Sequence, residues 1–352
     1  MENIFYKGWQ IGITYEAKDK NGLSFDDILM LLDEMAENRM NLLSLMMVSY
    51  SYFDPEHDGL CWPVKNKKLE CLRDMNCTNA QKETEFVTKV IEEAYKRGIK
   101  IQLFTNLGIY NPERVRISYH NACEQEGKNG EKYKWLFCPD SPGAFELENN
   151  EVFDLLNAYN HKNVTSIGYE RISYAGGSCF CDYSKSAFNS ETGLDLSKYK
   201  RGDYVFEQWK IKNISDKLKN LNDGIKAVRP DISICLHTSL SSGWGHEANN
   251  LRHVGVDMVM PHIAHFPMNQ IEFNALLDSI YPNNIILQVC VRNKSLSNYN
   301  IWVKTPDIIK DIGIWVKEYK KDHSNLKGIV FFNANTVSNE NKKAVYQLIK
   351  EL

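Results

Sequence analysis

The chain has 352 residues, 43% of them hydrophobic and 25% charged, proportions that support a large packed core and exclude an intrinsically disordered chain. Lys and Arg total 42 against 45 Asp and Glu, a formal charge of −3 with no long block of either sign, so no electrostatic footprint points to nucleic acid or to an anionic membrane surface. No apolar run approaches the roughly 20 residues of a membrane helix, and nine cysteines scattered through the chain read as reduced thiols rather than a disulfide framework.

The opening residues, MENIFYKGWQIGITYE, lack a basic stretch followed by an apolar one and a small-residue cleavage site, from which a cytoplasmic protein is expected. The Asn-x-Ser/Thr triplets at Asn76, Asn163, Asn213 and Asn293 then have little meaning. From the first strand onward, short apolar runs suited to buried parallel strands alternate with amphipathic stretches of helical length, about eight times. The first strand is predicted over Gln10 to Tyr15, and its helix begins at Ser24, which has capping-box spacing with Asp27 and puts Ile28, Leu31, Leu32 and Met35 on one face. The second strand, Asn41 to Val48, leads into a long loop with Tyr50, Tyr52, Asp54, Glu56, His57 and Trp62. Its helix buries Val87, Val90, Ile91 and Ala94 and stops at Gly98.

The third strand, Ile99 to Phe104, ends near Asn106 and opens the longest insertion, through Trp135 and Cys138-Pro139-Asp140, before a helix from about Glu148 to Tyr159. Strand four is Val164 to Tyr169, with Glu170 at its end; a second long loop precedes a helix over Tyr204 to Val228. Strand five, Ile232 to Leu236, runs into His237. Strand six, Met258 to Met260, runs into His262, and strand seven, Ile285 to Val289, into Arg292. Strand eight, Gly328 to Phe332, delivers Asn333 and Asn335. No linker or composition break divides the chain, so the prediction is an α/β fold: one (β/α)8 TIM barrel over residues 1–352 with long βα loops. A doubly wound open sheet would place a Gly-rich phosphate turn after its first strand, where this chain has Tyr15-Glu16-Ala17-Lys18.

A barrel presents its chemistry at the C-terminal ends of its strands, which makes Glu170 the first candidate: a carboxylate there can act as general acid, general base or nucleophile. The other strand ends, Tyr15, Asn106, His237, His262, Arg292 and Asn333, are polar, and with the aromatic residues Tyr50, Tyr52, Trp62, Tyr110, Trp244 and Trp302 they suit a polyhydroxylated ligand. Glycosidic cleavage ordinarily uses two carboxylates, about 5 Å apart in retaining enzymes and farther apart in inverting ones. The candidates for the second are Glu16, Asp54, Glu56, Asp140 and Glu247. Glu247 ranks first, because it follows a Gly-Trp-Gly loop in which Trp244 offers a platform to a sugar ring, and Glu16 ranks second.

The segment Gly168-Tyr169-Glu170-Arg171, then Gly176-Gly177-Ser178-Cys179-Phe180-Cys181-Asp182-Tyr183, Phe188 and Thr192-Gly193-Leu194, resembles the family 42 β-galactosidases and related glycoside-hydrolase-like barrels, as does Trp135 to Phe145 with Cys138-Pro139-Asp140. The resemblance covers roughly a third of the chain. It implies a glycosidase in which Glu170 takes the acid/base position on strand four. The second glutamate of that family, at the end of strand seven, has no counterpart here, where Val289-Cys290-Val291-Arg292-Asn293 stands. The family's third loop cysteine is matched by Ser184, so no zinc is expected in that loop, Cys179 and Cys181 are expected to be packing thiols, and no cofactor is assigned. Two alternatives remain open: a metal-dependent isomerase or hydrolase using Glu170, His237 and His262, and a non-catalytic sugar-binding barrel. The partner in the leading reading is an oligosaccharide or small-molecule substrate, with no nucleic acid and no membrane; the oligomeric state is not encoded in any motif.

Overall fold

In the computed structural model the described residues are 4–13, 23–49, 58–74, 76–77, 84–107, 110–170, 172–174, 176–238, 244–292 and 301–352. Strands β1 (Tyr6–Gly12), β2 (Leu42–Met46), β5 (Lys100–Asn106), β8 (Val164–Glu170), β9 (Ser233–His237), β10 (Met258–Met260) with its continuation β11 (His262–Ile263), β12 (Ile285–Cys290) and β13 (Leu326–Phe332) are mutually parallel. Their hydrogen-bonded order, together with the pairing of Val259 with Ile285, closes the sheet on itself. These are the eight strands of a (β/α)8 barrel, with β10 and β11 counted as the sixth. Two short antiparallel pairs decorate the loops: β3 (Val48–Ser49) with β4 (Gly59–Leu60), and β6 (Glu124–Glu126) with β7 (Lys132–Phe137).

The local chemistry explains the elements. Ser24 and Asp27 form the capping box that starts the helix Phe25–Glu37, and its buried face is Ile28, Leu31, Leu32 and Met35. Gly98 adopts a φ of +70°, the left-handed turn that releases the chain from the helix Thr84–Lys96 into β5. At Gly8 the constraint is space, since a Cβ there would lie 2.1 Å from the Leu42 carbonyl oxygen of the neighbouring strand.

Several boundaries differ from the sequence reading. The first strand begins at Tyr6 and ends at Gly12, and the expected end at Tyr15 lies outside the described residues. The helix expected near Glu148 starts at Pro142, because Ser141 and a proline in the first turn initiate it ahead of the apolar periodicity. The loop after β8 contains a helix of its own, Asp182–Thr192, closed by Gly193 at φ +71°.

Alternation along each strand sorts side chains between the barrel interior and the surrounding helices. Leu42, Cys235, Met258, Met260, Ile286 and Val330 form a small apolar cluster of their own, while the main core fills the space between sheet and helices. Two residues farther along β2, β9 and β12, on the same face as Leu42, Cys235 and Ile286, stand Ser44, His237 and Gln288. The interior is therefore apolar at its base and becomes polar toward the strand ends. No helix among the described residues is long and apolar enough to cross a membrane.

Candidate active site

Tyr169 shows which way β8 faces. Its hydroxyl donates outward to Asn222 Oδ1 of the helix Tyr204–Val228 at 2.6 Å, so its neighbour Glu170 turns inward at the mouth of the barrel. There Asn106 Nδ2, from the end of β5, donates to Glu170 Oε1, and His237 Nδ1, from the end of β9, meets Glu170 Oε2. The carboxylate keeps 18% of its side-chain surface exposed and His237 keeps 10%, so the pair is held by protein yet open to a ligand. The Phe104 and His237 rings meet edge to face at 5.4 Å between centroids, and the His262 ring lies 5.0 Å from that of His237. Three of the sequence candidates thus gather around Glu170: Asn106, His237 and His262.

The remaining candidates separate. Arg292 is buried, with its guanidinium carbon 5.9 Å from the centre of the Phe332 ring. Asn333 is fully buried and its Oδ1 accepts from the Asn335 backbone N–H at 2.9 Å, a local turn interaction. Glu247 sits at the start of the short helix Ala248–Leu251, where its Oε2 accepts from Asn250 Nδ2 at 3.3 Å. Trp244 contributes its backbone carbonyl to the Tyr174 N–H at 2.9 Å. Tyr15, Glu16, Tyr50, Tyr52, Asp54, Glu56, His57 and Arg171 lie outside the described residues.

Three expectations need correction. Asp140 is not available as a second catalytic carboxylate: it is buried and accepts from Ser184 Oγ at 2.6 Å, from the Tyr174 hydroxyl at 2.7 Å and from Asn213 Nδ2 at 2.6 Å, with Lys217 Nζ 3.5 Å away. Trp62 is a buried packing residue whose indole N–H donates to Asp154 at 2.9 Å, and Tyr110 is buried as well, so neither offers a platform to a sugar. Among the described residues Phe266 is an exposed aromatic residue of the loop after β11, beside His265, which in turn stands 5.4 Å from His262; a Phe in an unassigned loop gave no sequence signal.

The third correction concerns the thiols. Cys179 and Cys181 are not alone in packing the loop. Cys181 Sγ lies 3.4 Å from Cys138 Sγ and 3.6 Å from Cys123 Sγ, and these three sulfurs lie within 4.8 Å of one another. Cys179 borders the same group, its Sγ accepting from the Glu126 N–H at 3.3 Å. A tetrahedral zinc with Zn–S bonds near 2.3 Å has sulfur–sulfur edges of about 3.8 Å, so Cys123, Cys138 and Cys181 could supply three ligands to such an ion, while Cys179 lies outside that group. The Cys138 thiol is pushed well up by burial, while the Cys181 thiol is held low by hydrogen bonds from Cys123, Cys138 and Cys179. Chain order concealed the set, because Cys123 comes from the β6–β7 hairpin and not from the loop in which Ser184 replaces a cysteine. Among the described residues this is the one such grouping of ligand atoms, and the metal reading of Glu170, His237 and His262 gains none.

Two further titrating groups border the site from behind. Glu148 and Glu151 of the helix Pro142–Ala158 are buried against β5, where Thr105 Oγ1, on the opposite face from Asn106, donates to Glu151. Burial raises both carboxyls to about 8, with Glu151 adding repulsion at Glu148 and the Thr105 hydrogen bond opposing the rise at Glu151. His246 is buried between the Thr238 hydroxyl at 2.7 Å and the Ile172 carbonyl at 2.8 Å, and burial lowers it to about 4.

No protein-family model and no curated protein matches the sequence. Solved structures do match in fold. The glycoside hydrolase domain of PgaB (BpsB) from Bordetella bronchiseptica superposes with a TM-score of 0.69 at 12% identity, covering 98% of this chain and 99% of that one. The β-galactosidase of the psychrophilic Marinomonas ef1 gives 0.69 at 9% identity, over 98% of this chain and 59% of its own. That of Bacillus circulans sp. alkalophilus gives 0.66 at 14%, over 99% and 56%. The chain spans a little over half the length of those β-galactosidases. At these identities the likeness is one of fold: this is a (β/α)8 barrel similar in fold to those glycoside hydrolases.

Proposed function

We propose that the protein hydrolyses a glycosidic bond in an oligosaccharide or glycoconjugate, with Glu170 as general acid/base. The observation that carries this reading is the carboxylate at the end of the fourth barrel strand, gripped by Asn106 and His237 and still partly exposed. Such a group donates a proton to the leaving oxygen in one half of the reaction and accepts one from water in the other. In this reading Asn106, His237 and His262, gathered around Glu170, bond the hydroxyls next to the scissile bond, and Trp244, Tyr15 and Glu16 supply further sugar contacts, while Arg292 and Asn333 are buried and are not counted among them. Glu247 is the second carboxylate. The names of the structural neighbours, which are glycoside hydrolases, agree with the reaction class. The reaction itself requires no cofactor.

The test is turnover on a panel of chromogenic and natural glycosides by wild type, Glu170→Gln and Glu247→Ala. Gln keeps the shape and most hydrogen bonds of Glu170 but not the titratable proton, so turnover falls roughly a hundredfold or more while substrate binding persists. Azide restoring Glu247→Ala would mark Glu247 as the nucleophile of a retaining mechanism. Full activity in Glu170→Gln removes the assignment, and binding of a glycan without turnover by the wild type makes the protein a sugar-binding barrel.

A further inference from the structure

Barrel strands one, three, five and seven are the alternate strands that fill one interior layer, ordinarily with branched aliphatic side chains. Here they supply Gln10, Gln102, His237 and Gln288, and the three glutamines are buried. Buried amides destabilise a core unless their donors and acceptors are satisfied. These are satisfied by one another. Ser44 Oγ, from strand two, donates to Gln102 Oε1 at 2.8 Å; Gln10 Nε2 donates to Ser44 Oγ at 3.3 Å; and Gln288 Nε2 donates across the barrel to Gln10 Oε1. Gln288 Oε1 is left facing His237 Nε2 at 3.0 Å. A row of amides that all point one way ends on a donor. Gln102 Nε2 is that donor, and it is buried beside the Cys235 sulfur, which accepts from it.

This polarity fixes the histidine. An amide oxygen only accepts, so His237 Nε2 carries a hydrogen. On the other side of the ring, Nδ1 meets Glu170 Oε2, which also only accepts when ionised. A neutral imidazole with its hydrogen on Nε2 presents a lone pair at Nδ1, so the contact requires one further proton shared between Nδ1 and Oε2. Among the described residues, His262 and, beyond it, His265 are further titratable groups near the ring, and the Phe104 ring packs against it.

We propose that Gln288 is a positioning residue for the reaction: by holding the His237 hydrogen on Nε2, it obliges the Glu170–His237 pair to retain a shared proton for the leaving group. The inference rests on the acid/base reading of Glu170. In the forward step the O–H bond of Glu170 breaks as the glycosidic C–O bond breaks, with the electron pair of that bond passing to the departing oxygen, which takes the proton. The pair left behind sets an ionised carboxylate against an Nδ1 lone pair, an unfavourable arrangement that draws a proton from the incoming water as its oxygen bonds to the anomeric carbon.

Gln288→Met keeps the length of the side chain and removes the acceptor, so His237 is free to carry its hydrogen on Nδ1 and donate it to an ionised Glu170. In 15N-resolved NMR of the full chain, the His237 imidazole should show Nε2–H in wild type, Nδ1–H in Gln288→Met, and Nε2–H again in Gln288→Glu, which restores an acceptor. The basic limb of the kcat/KM profile should fall by about one pH unit in the Met variant, the size expected for one lost hydrogen bond, and return in the Glu variant. If Gln288→Met does not fold, Gln10→Leu removes the amide that orients Gln288 and reads the same two signals. Nδ1–H without Nε2–H in the wild type, or an unmoved tautomer and limb in the variants, overturns the proposal. The imidazole signal needs no substrate, so loss of the hydrolase reading appears separately, as a chain with the Nε2–H tautomer and no turnover.

Discussion

One stretch of chain, residues 170 to 181, contributes to two polar clusters of opposite character. At its start Glu170 faces the barrel mouth, partly exposed and bonded to Asn106 and His237 from neighbouring strands. At its end Cys179 and Cys181 are buried, and the Cys181 sulfur groups with those of Cys138 and the half-buried Cys123 closely enough to hold a metal ion. The first cluster hangs from rigid strand ends and stays open, as a reacting group must be. The second ties together a hairpin and two loops that share no strand of the barrel, and it is closed. The difference separates chemistry from support: a partly exposed carboxylate belongs to the first, and a buried group of thiols belongs to the second.

Paired substitutions put that separation at risk. Cys138→Ser removes a sulfur from the middle of the thiol set. If zinc is bound there, its loss takes stabilisation of several kcal/mol, lowers the melting temperature by well over the shift of an ordinary core substitution, and leaves a protein with less than one zinc per chain by elemental analysis. Glu170→Gln does the reverse, lowering turnover while leaving the melt and the metal content unchanged. A Cys138→Ser protein that melts like wild type, with neither containing zinc, would erase the contrast and return the thiols to simple packing.

The two clusters were not equally legible. Glu170, Asn106, His237 and His262 follow from one rule, that a polar residue closing an apolar strand points into the barrel mouth, and the strands were readable from their own composition. The thiol set required knowing that the β6–β7 hairpin folds over the loop after β8, a tertiary fact with no periodic signal. Asp140 misled for the same reason: its partners Tyr174, Ser184 and Asn213 come from separate segments. The glutamine layer did leave a mark, a single Gln inside each of Trp9-Gln10-Ile11, Ile101-Gln102-Leu103 and Leu287-Gln288-Val289, and a lone amide in an otherwise apolar parallel strand is the signal to look for.

A smaller effect sharpens the comparison from the rear of β5. Glu148 and Glu151 ionise near 8 when folded, well above the ordinary 4.5, so folding holds protons that the unfolded chain releases. Their contribution to stability is complete below about pH 4.5 and is lost as pH rises toward 8. Glu148→Gln removes one of these titrations. It should melt with the wild type at pH 5 and a few degrees above it at pH 8, and because Glu148 lies behind the barrel wall the pH profile of turnover should keep its shape. A variant that moves the activity limb instead would place the buried acids in the reaction.

The smallest effect is expected on the acid side, at His246. Burial between Thr238 and the Ile172 carbonyl lowers it from 6.5 to about 4, so the folded protein keeps a neutral ring where the unfolded chain takes up a proton. The sign is opposite to that of the glutamates: stability is complete above about pH 6.5 and is lost as pH falls toward 4. His246→Gln retains an acceptor and a donor for the two partners but cannot titrate there. Thermal melts of wild type and variant should therefore converge at pH 5, where the wild type has lost part of its advantage, and separate by a degree or two at pH 7, with the wild type higher because its ring fits the site. His246 neighbours Glu247, so the same pair of melts also tests the loop that carries the proposed second carboxylate. If turnover in His246→Gln falls in proportion to the folded fraction, His246 acts through the fold alone; a fall in turnover at full folding would show that its ring fixes the position of Glu247.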